Sequence, residues 1–386
     1  MNLDSNAILR KAIENTGLND FGDEIFIEGL HKLISSINNE ASLNEVGFQA
    51  QEHRILGLLL NLLRTVDALK NNPEILKQDI ISPIVIVGLP RTGSTMTHRL
   101  LASDPNHTAM LWWEGRYPAI LPNEVRGNPQ ERMQLGEAEV AAVVEASPEA
   151  LKIHPWDFNG ADEEILLIEH TFLSTVPESC MHLPSYSTWI EEQDHKVVYE
   201  FLKKQIQYLT WQNPGREQKR WVLKSPHHLG FIDKVLDVFP DAKVIQTHRT
   251  PVDTVPSFGS MCANLSEQLT TDFNKQRIAR HWQDKLCRVL KHCQEISSLH
   301  VDSFIHLDFK KMISEPLEEM KKIYTFIHEN FADQTENAMK AWQEENKHEM
   351  GSHKYSLEEY GLSKDCLLYT SPSPRDATLS RMPSSA

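Results

Sequence analysis

Residues 84 to 101 read IVIVGLPRTGSTMTHRLL: a short β-branched run, a turn containing Gly and Pro, and a helix-forming stretch in direct succession. A buried strand that feeds a helix through a tight glycine turn is the opening unit of an α/β sheet, so this stretch narrows the fold further than any bulk property. The turn aims several backbone N–H groups and the positive end of a helix dipole at one point, which makes it an anion site. Gly88 and Gly93 have the separation of the nucleotide loop G-x-x-x-x-G-K-S/T, but Ser94 and Thr95 follow directly, and Arg91 lies inside the loop in place of the lysine. The plainer alternative is a tight strand-to-helix turn.

Further β-branched runs follow at RWVLK (220 to 224), AKVIQT (242 to 247) and SFIHLDF (303 to 309). Helix-period stretches separate them, near 131 to 146, 195 to 211, 229 to 239, 252 to 262, 273 to 297 and 315 to 330. Strands alternating with helices predict an α/β fold with a parallel β-sheet flanked by helices, and in such sheets ligands bind beyond the carboxyl ends of the strands. Residues 1 to 80 carry apolar positions at three- and four-residue steps and read as a helical N-terminal extension, broken at Asn71-Asn72-Pro73. The main domain is expected over 81 to 365. Residues 366 to 386 are Ser- and Pro-rich without periodicity, and read as a disordered tail and a sequence artefact.

The net charge of −15 argues against a nucleic-acid partner, so an anion bound here must meet local positive charge. The five cysteines form no CxxC pair and no metal-like cluster, which predicts reduced thiols and no metal. No window reaches the 18 or so uncharged apolar residues of a membrane span, and the N-terminus lacks a signal-like apolar core, so a cytoplasmic protein is expected.

A nucleotide-hydrolysing loop pairs its lysine with a metal-binding Asp at the end of a later apolar strand. Here KVIQTHR ends in a base, and Asp308 follows a run interrupted by His306. One planar cation without a metal suits transfer of a group with less charge than a phosphoryl, and a sulfuryl group fits. A second anion grip is expected where Arg249 ends a strand and Ser257 follows eight residues on, about two turns into the next helix. Pro251 suits that helix's first turn, whereas Pro256 predicts a distorted one. Two separated grips require a nucleotide phosphorylated at two places.

With these residues in place, the chain resembles the sulfotransferases that use 3′-phosphoadenosine 5′-phosphosulfate (PAPS), above all the broad bacterial group. PRTGST resembles their 5′-phosphosulfate loop, and the spacing from Arg249 to Ser257 their 3′-phosphate motif. The ordered set TGLNDFGD (16 to 23), WWE (112 to 114), DEEILL (162 to 167), LKSPHHL (223 to 229), FPDAKVIQTHR (239 to 249) and HKYSLEEYGL (353 to 362) extends the likeness over nearly the whole chain. It departs from the family pattern at Thr250, where an Asp is usual, and in having no aromatic after the loop to stack on adenine.

The resemblance implies a P-loop NTPase-like sulfotransferase fold, PAPS as donor without a metal, and a hydroxyl of a small molecule, lipid or glycan as acceptor. Arg91, Thr92, Gly93, Ser94, Thr95, Arg249 and Ser257 would bind the nucleotide. It implies two positions for the general base: Glu114, favoured, and the pair His227 and His228, with His228 the second choice. Lys224 ends a predicted buried strand, where a solvated lysine is not expected, and is assigned with Arg91 to the transferring group. His98 and His248 read as structural. Asp162 to Glu164 meet a substrate or cap a helix. Trp156, Phe158, Phe172, Tyr186 and Trp189 line an acceptor pocket or belong to the core. A P-loop kinase or NTPase, and a non-catalytic nucleotide-binding protein, remain as other readings.

Overall fold

A computed structural model describes residues 2–146, 156–346, 357–364 and 367. Five strands form one all-parallel sheet: β1 (Ile84–Gly88), β2 (His107–Thr108), β3 (Arg220–Lys224), β4 (Lys243–His248) and β5 (Phe304–Asp308), in the spatial order β2-β3-β1-β4-β5. β1 is central and buried at every residue. Its alternate side chains feed two cores: Val85 and Val87 join Trp221, Leu223 and Val244 on one face, and Ile84 and Ile86 join Val222 and Ile245 on the other. A strand apolar on both faces is what a sheet sandwiched between helical layers demands.

The core on the first face extends through helices of the main domain to the three N-terminal helices, Ser5–Thr16, Glu24–Ser36 and Glu45–Asn71, whose Leu30, Leu59 and Leu62 belong to the same cluster as Val85; Glu45–Asn71 packs on Ser5–Thr16 and on Pro251–Leu269. Asp4, Asp23 and Asn44 each accept a backbone N–H at the start of one of these helices, and Gly17 at φ +71° closes the first. Leu367 is packed in that cluster too; the rest of 366 to 386 and the start of the HKYSLEEYGL motif lie outside the described residues. The second face packs on Ser94–Ala102, Pro316–Phe326 and Asp333–Glu345 through Leu100, Leu101, Met320, Ile323 and Met339.

The helix predicted over 252 to 262 runs further, as Pro251–Leu269, and is continuous through Pro256. Beside it lies Lys275–Leu299, packed with Gly259 so close to Ala279 that a Cβ there would sit 3.3 Å from the Ala279 Cβ. Among the described residues no helix is long and apolar enough to cross a membrane.

Candidate active site

The chain direction changes sides of the sheet around β1, so the loops after β1, β3 and β4 leave neighbouring strand ends together. Gly88 is opposite Thr247 in the β1–β4 register, and a Cβ on it would lie 2.2 Å from Thr247 Oγ1. That space belongs to a hydroxyl pair: Thr92 Oγ1 donates to the Leu89 carbonyl at 2.6 Å and lies 2.7 Å from Thr247 Oγ1. Thr92 therefore ties the loop to β4. Arg91 at φ +70° and Gly93 at φ +82° turn the chain into the Ser94–Ala102 helix, a left-handed conformation uncommon for a residue with a Cβ. The result is a backbone cradle at a helix N-terminus, with Arg91, Gly93, Ser94 and Thr95 facing one cavity.

Arg249 leaves β4 beside this cradle. Its Nη1 donates to the Arg91 carbonyl at 3.1 Å, and its guanidinium lies 4.3 Å from the centre of the Phe309 ring. Asp253 flanks it, with Oδ2 3.6 Å from Nε. Arg249 lines the same cavity as the loop. Ser257 does not: it is buried two turns along the next helix, next to Phe258, which does.

The end of β3 supplies the third wall. Lys224 is 1% exposed, with Nζ 3.3 Å from Thr95 Oγ1 and 2.5 Å from Glu163 Oε1. Glu164 accepts the Lys224 backbone N–H at 2.8 Å through Oε2, and its Oε1 pairs with His228 Nε2. Burial alone would raise the Glu164 carboxyl, but His228 and the Lys224 N–H hold it below the ordinary carboxylate range. His228 Nδ1 lies 2.9 Å from the Tyr199 hydroxyl, whose own titration burial pushes far up, so both ring nitrogens of His228 are engaged inside the protein.

His227 faces the other way and lines the cavity. Its Nδ1 is 3.3 Å from Thr175 Oγ1, its ring packs on Phe231 at 4.9 Å, and Nε2 is buried without a hydrogen-bond partner among the described residues. Burial, and then the charges of His195, His228 and Lys285, push it well below the usual histidine value.

Glu114 is elsewhere. Arg216 grips it bidentately, at 2.9 Å to Oε1 and 3.1 Å to Oε2, and Oε2 also accepts the Leu111 N–H at 2.9 Å. The carboxylate is buried, does not line the cavity, and caps the short helix Trp112–Arg116. The structure thus gathers Arg91, Gly93, Ser94, Thr95, Arg249 and His227 at the cavity, with Lys224 hydrogen-bonded to its wall, and leaves Glu114, His228, Thr92 and Ser257 behind that wall. Of the aromatics between 156 and 189, Trp156 lines the cavity while Phe172 and Tyr186 are core.

Sequence reasoning missed the tasks of Glu163 and Glu164. Both act across about 60 residues on the end of β3, and no local spacing records that pairing. Phe309 was missed as well, although its place directly after the β5 strand end was a usable signal. His98 is fully buried on the helix after the loop, and His248 contacts His306 at 2.8 Å; neither lines the cavity.

Comparison with known proteins accords with this geometry. The sulfotransferase family model matches residues 83–333. Omega-hydroxy-beta-dihydromenaquinone-9 sulfotransferase Stf3 of Mycobacterium bovis and its counterpart in Mycobacterium tuberculosis are each 25% identical over 264 residues, covering 64% of this chain. The match spans 62% of those relatives' own length. Among solved structures, sulfotransferase STF1 from Mycobacterium tuberculosis H37Rv aligns with a TM-score of 0.83 and 27% identity over 95% of this chain and 98% of its own. STF9 from Mycobacterium avium shares the fold at a TM-score of 0.85 and 24% identity, over 95% and 94%. The parallel sheet is therefore the sulfotransferase fold, and the loop that opened the sequence reading lies within the matched segment: this chain belongs to the sulfotransferase family.

Proposed function

We propose that the protein transfers a sulfuryl group from PAPS to a hydroxyl of an organic acceptor. The observation that carries this reading is the bond from Arg249 Nη1 to the Arg91 carbonyl. It sets two cationic corners on one wall of one cavity, as a nucleotide with anionic groups on both sides of its ribose requires. Gly93 is left-handed and packs against Phe309, where a Cβ would lie 3.1 Å from the ring, so the loop's conformation is held by the protein itself.

Bound there, PAPS would supply the sulfuryl group, with the acceptor oxygen bonding to sulfur as the bond from sulfur to the 5′-phosphate oxygen breaks and adenosine 3′,5′-bisphosphate leaves. The N–H groups and hydroxyls at the start of the Ser94–Ala102 helix hold the phosphosulfate end, and Arg249 holds the 3′-phosphate. Lys224, hydrogen-bonded to Thr95, and Arg91 stabilise the charge that moves onto the leaving oxygen. His227 Nε2 accepts the acceptor's proton. It faces the cavity and is neutral at pH 7, whereas Glu114 and His228 have their acceptor atoms committed to Arg216 and Glu164. Thr175, at His227 Nδ1, orients that ring.

The test is ligand-induced stabilisation followed by transfer. Adenosine 3′,5′-bisphosphate without Mg²⁺ raises the melting temperature by mass action, and ATP with Mg²⁺ does not. Stabilisation by ATP with Mg²⁺ alone would instead assign the site to phosphoryl chemistry.

A further inference from the structure

The cavity that holds the loop encloses about 1160 Å³, more than the roughly 300–1,000 Å³ of a site for one drug-sized ligand. Besides the loop and Arg249, the cavity is lined from several elements, and one arm of it runs along the two packed helices Pro251–Leu269 and Lys275–Leu299. Phe258, Met261, Leu265 and Gln268 line it from the first helix, at the three- and four-residue steps of a single face, a span of about 15 Å at the rise of an α-helix. This floor passes from buried Phe258 to exposed Gln268, so the trough opens to solvent at Gln268.

The opposite helix faces it with Trp282, Leu286 and Val289; Trp282 meets Phe258 edge to face at 4.7 Å. Val289 closes over the turn that carries His227, lying 3.1 Å from where a Cβ on Gly230 would stand. The apolar trough therefore leads to the unpartnered Nε2 of His227.

The ionisable side chains of the two-helix trough already have partners within the protein. Lys285 contacts Glu178 at 2.5 Å and Glu191 at 3.3 Å, Arg288 contacts Glu191 at 3.0 Å, and His292 contacts Asp233 at 3.1 Å. An occupant gains from this trough by burying apolar surface rather than by bringing charge.

We infer that the acceptor is an uncharged alcohol with an extended apolar chain, its hydroxyl delivered to His227 and its chain lying on Met261 and Leu265 toward the mouth at Gln268. The inference rests on the sulfuryl-transfer reading and narrows its acceptor. The 15 Å face alone takes a chain of about twelve carbons, since a carbon–carbon bond of about 1.5 Å advances an extended chain by only about 1.25 Å at the tetrahedral angle.

The experiment measures kcat/KM with PAPS for straight-chain primary alcohols of increasing length and for oligoethylene glycol alcohols of matched length. Alcohols gain about threefold to fourfold per methylene up to at least about twelve carbons, at the transfer free energy of a buried CH₂, and the glycols show no such rise. Met261→Gln and Leu265→Gln, both at partly exposed positions, flatten the slope over the later carbons while the bisphosphate still binds. A flat alcohol series, or equal gains in both series, overturns the inference while transfer to the shortest alcohol leaves the reaction standing. Absence of bisphosphate binding and of any transfer overturns both.

Discussion

Glu164 and His228 form a buried pair, carboxylate Oε1 against imidazole Nε2, while the other oxygen of Glu164 accepts the backbone N–H of Lys224. One carboxylate thus anchors both ends of the segment 224 to 228, from which the Lys224 ammonium reaches Glu163 and Thr95 and the His227 ring reaches Thr175. Glu164→Gln keeps the shape but removes the charge that His228 faces, and breaking one partner of a buried pair costs about 3–5 kcal/mol. We expect that loss in urea denaturation, together with a fall in kcat larger than the change in affinity for adenosine 3′,5′-bisphosphate. A variant as stable as the parent would show that the segment is held by other contacts.

The three base candidates separate cleanly by kinetics. His227→Gln lowers kcat by about 10²–10⁴, the usual contribution of a general base, and leaves bisphosphate affinity intact. Glu114→Gln weakens the grip of Arg216 and lowers the melting temperature, while the folded fraction keeps its kcat. The base works in its neutral form, and burial lowers the His227 titration well below 6.5, so the acidic limb of kcat/KM falls only well below pH 6.5. An unchanged kcat in His227→Gln, with loss in Glu114→Gln, would reverse the assignment.

The two segments proposed to bind the nucleotide were legible because each follows a strand end: a β-branched run then glycines for Arg91 to Thr95, and KVIQTHR for Arg249, and the structure brings both to one cavity. The parallel sheet followed from the same alternation, apart from β2, whose two residues are too short to leave a period. Between 156 and 192 the helices are three to nine residues long, so no helical repeat was visible there. His227 and His228 are adjacent in sequence, and only the 3₁₀ turn Pro226–Gly230 decides which faces the cavity and which the core. Glu114 looked poised for chemistry in an aromatic stretch, but its partner Arg216 lies about 100 residues away. Pro256 was expected to disturb its helix, yet Val255 and Phe258 on either side are buried and the helix continues.

Arg249 sits between the Arg91 carbonyl and the Phe309 ring, so its position is fixed before any ligand arrives. Arg249→Ala removes a charge-assisted contact, and affinity for adenosine 3′,5′-bisphosphate falls by about 1.5–3 kcal/mol in titration calorimetry. Adenosine 5′-phosphate, which lacks the 3′ group, loses much less. Equal losses for both ligands would place Arg249 at the wrong end of the nucleotide. Arg91→Ala is expected to lower turnover more than binding, because its contact strengthens as charge moves onto the leaving oxygen.

Stability should fall on mild acidification, and the sign follows from buried neutral histidines. His98, His170 and His195 are each pushed down to about 4, by burial first, and for His98 next by the charge of Lys224. In the unfolded chain a histidine titrates near 6.5. Between about pH 6.5 and 4 the unfolded state therefore binds protons that the native state refuses, so unfolding becomes easier as pH drops through that window and is insensitive above it. The carboxylates work in the same direction lower down: Glu178 is held at about 2 against the lifting effect of burial, chiefly by Lys285 and His281, so its contribution is lost below about 4.5. Urea midpoints measured from about pH 7.5 to 5 should decline steadily below 6.5, and His98→Leu should reduce the slope by close to one proton. A midpoint independent of pH across that range would mean these rings are charged or solvated in the native protein.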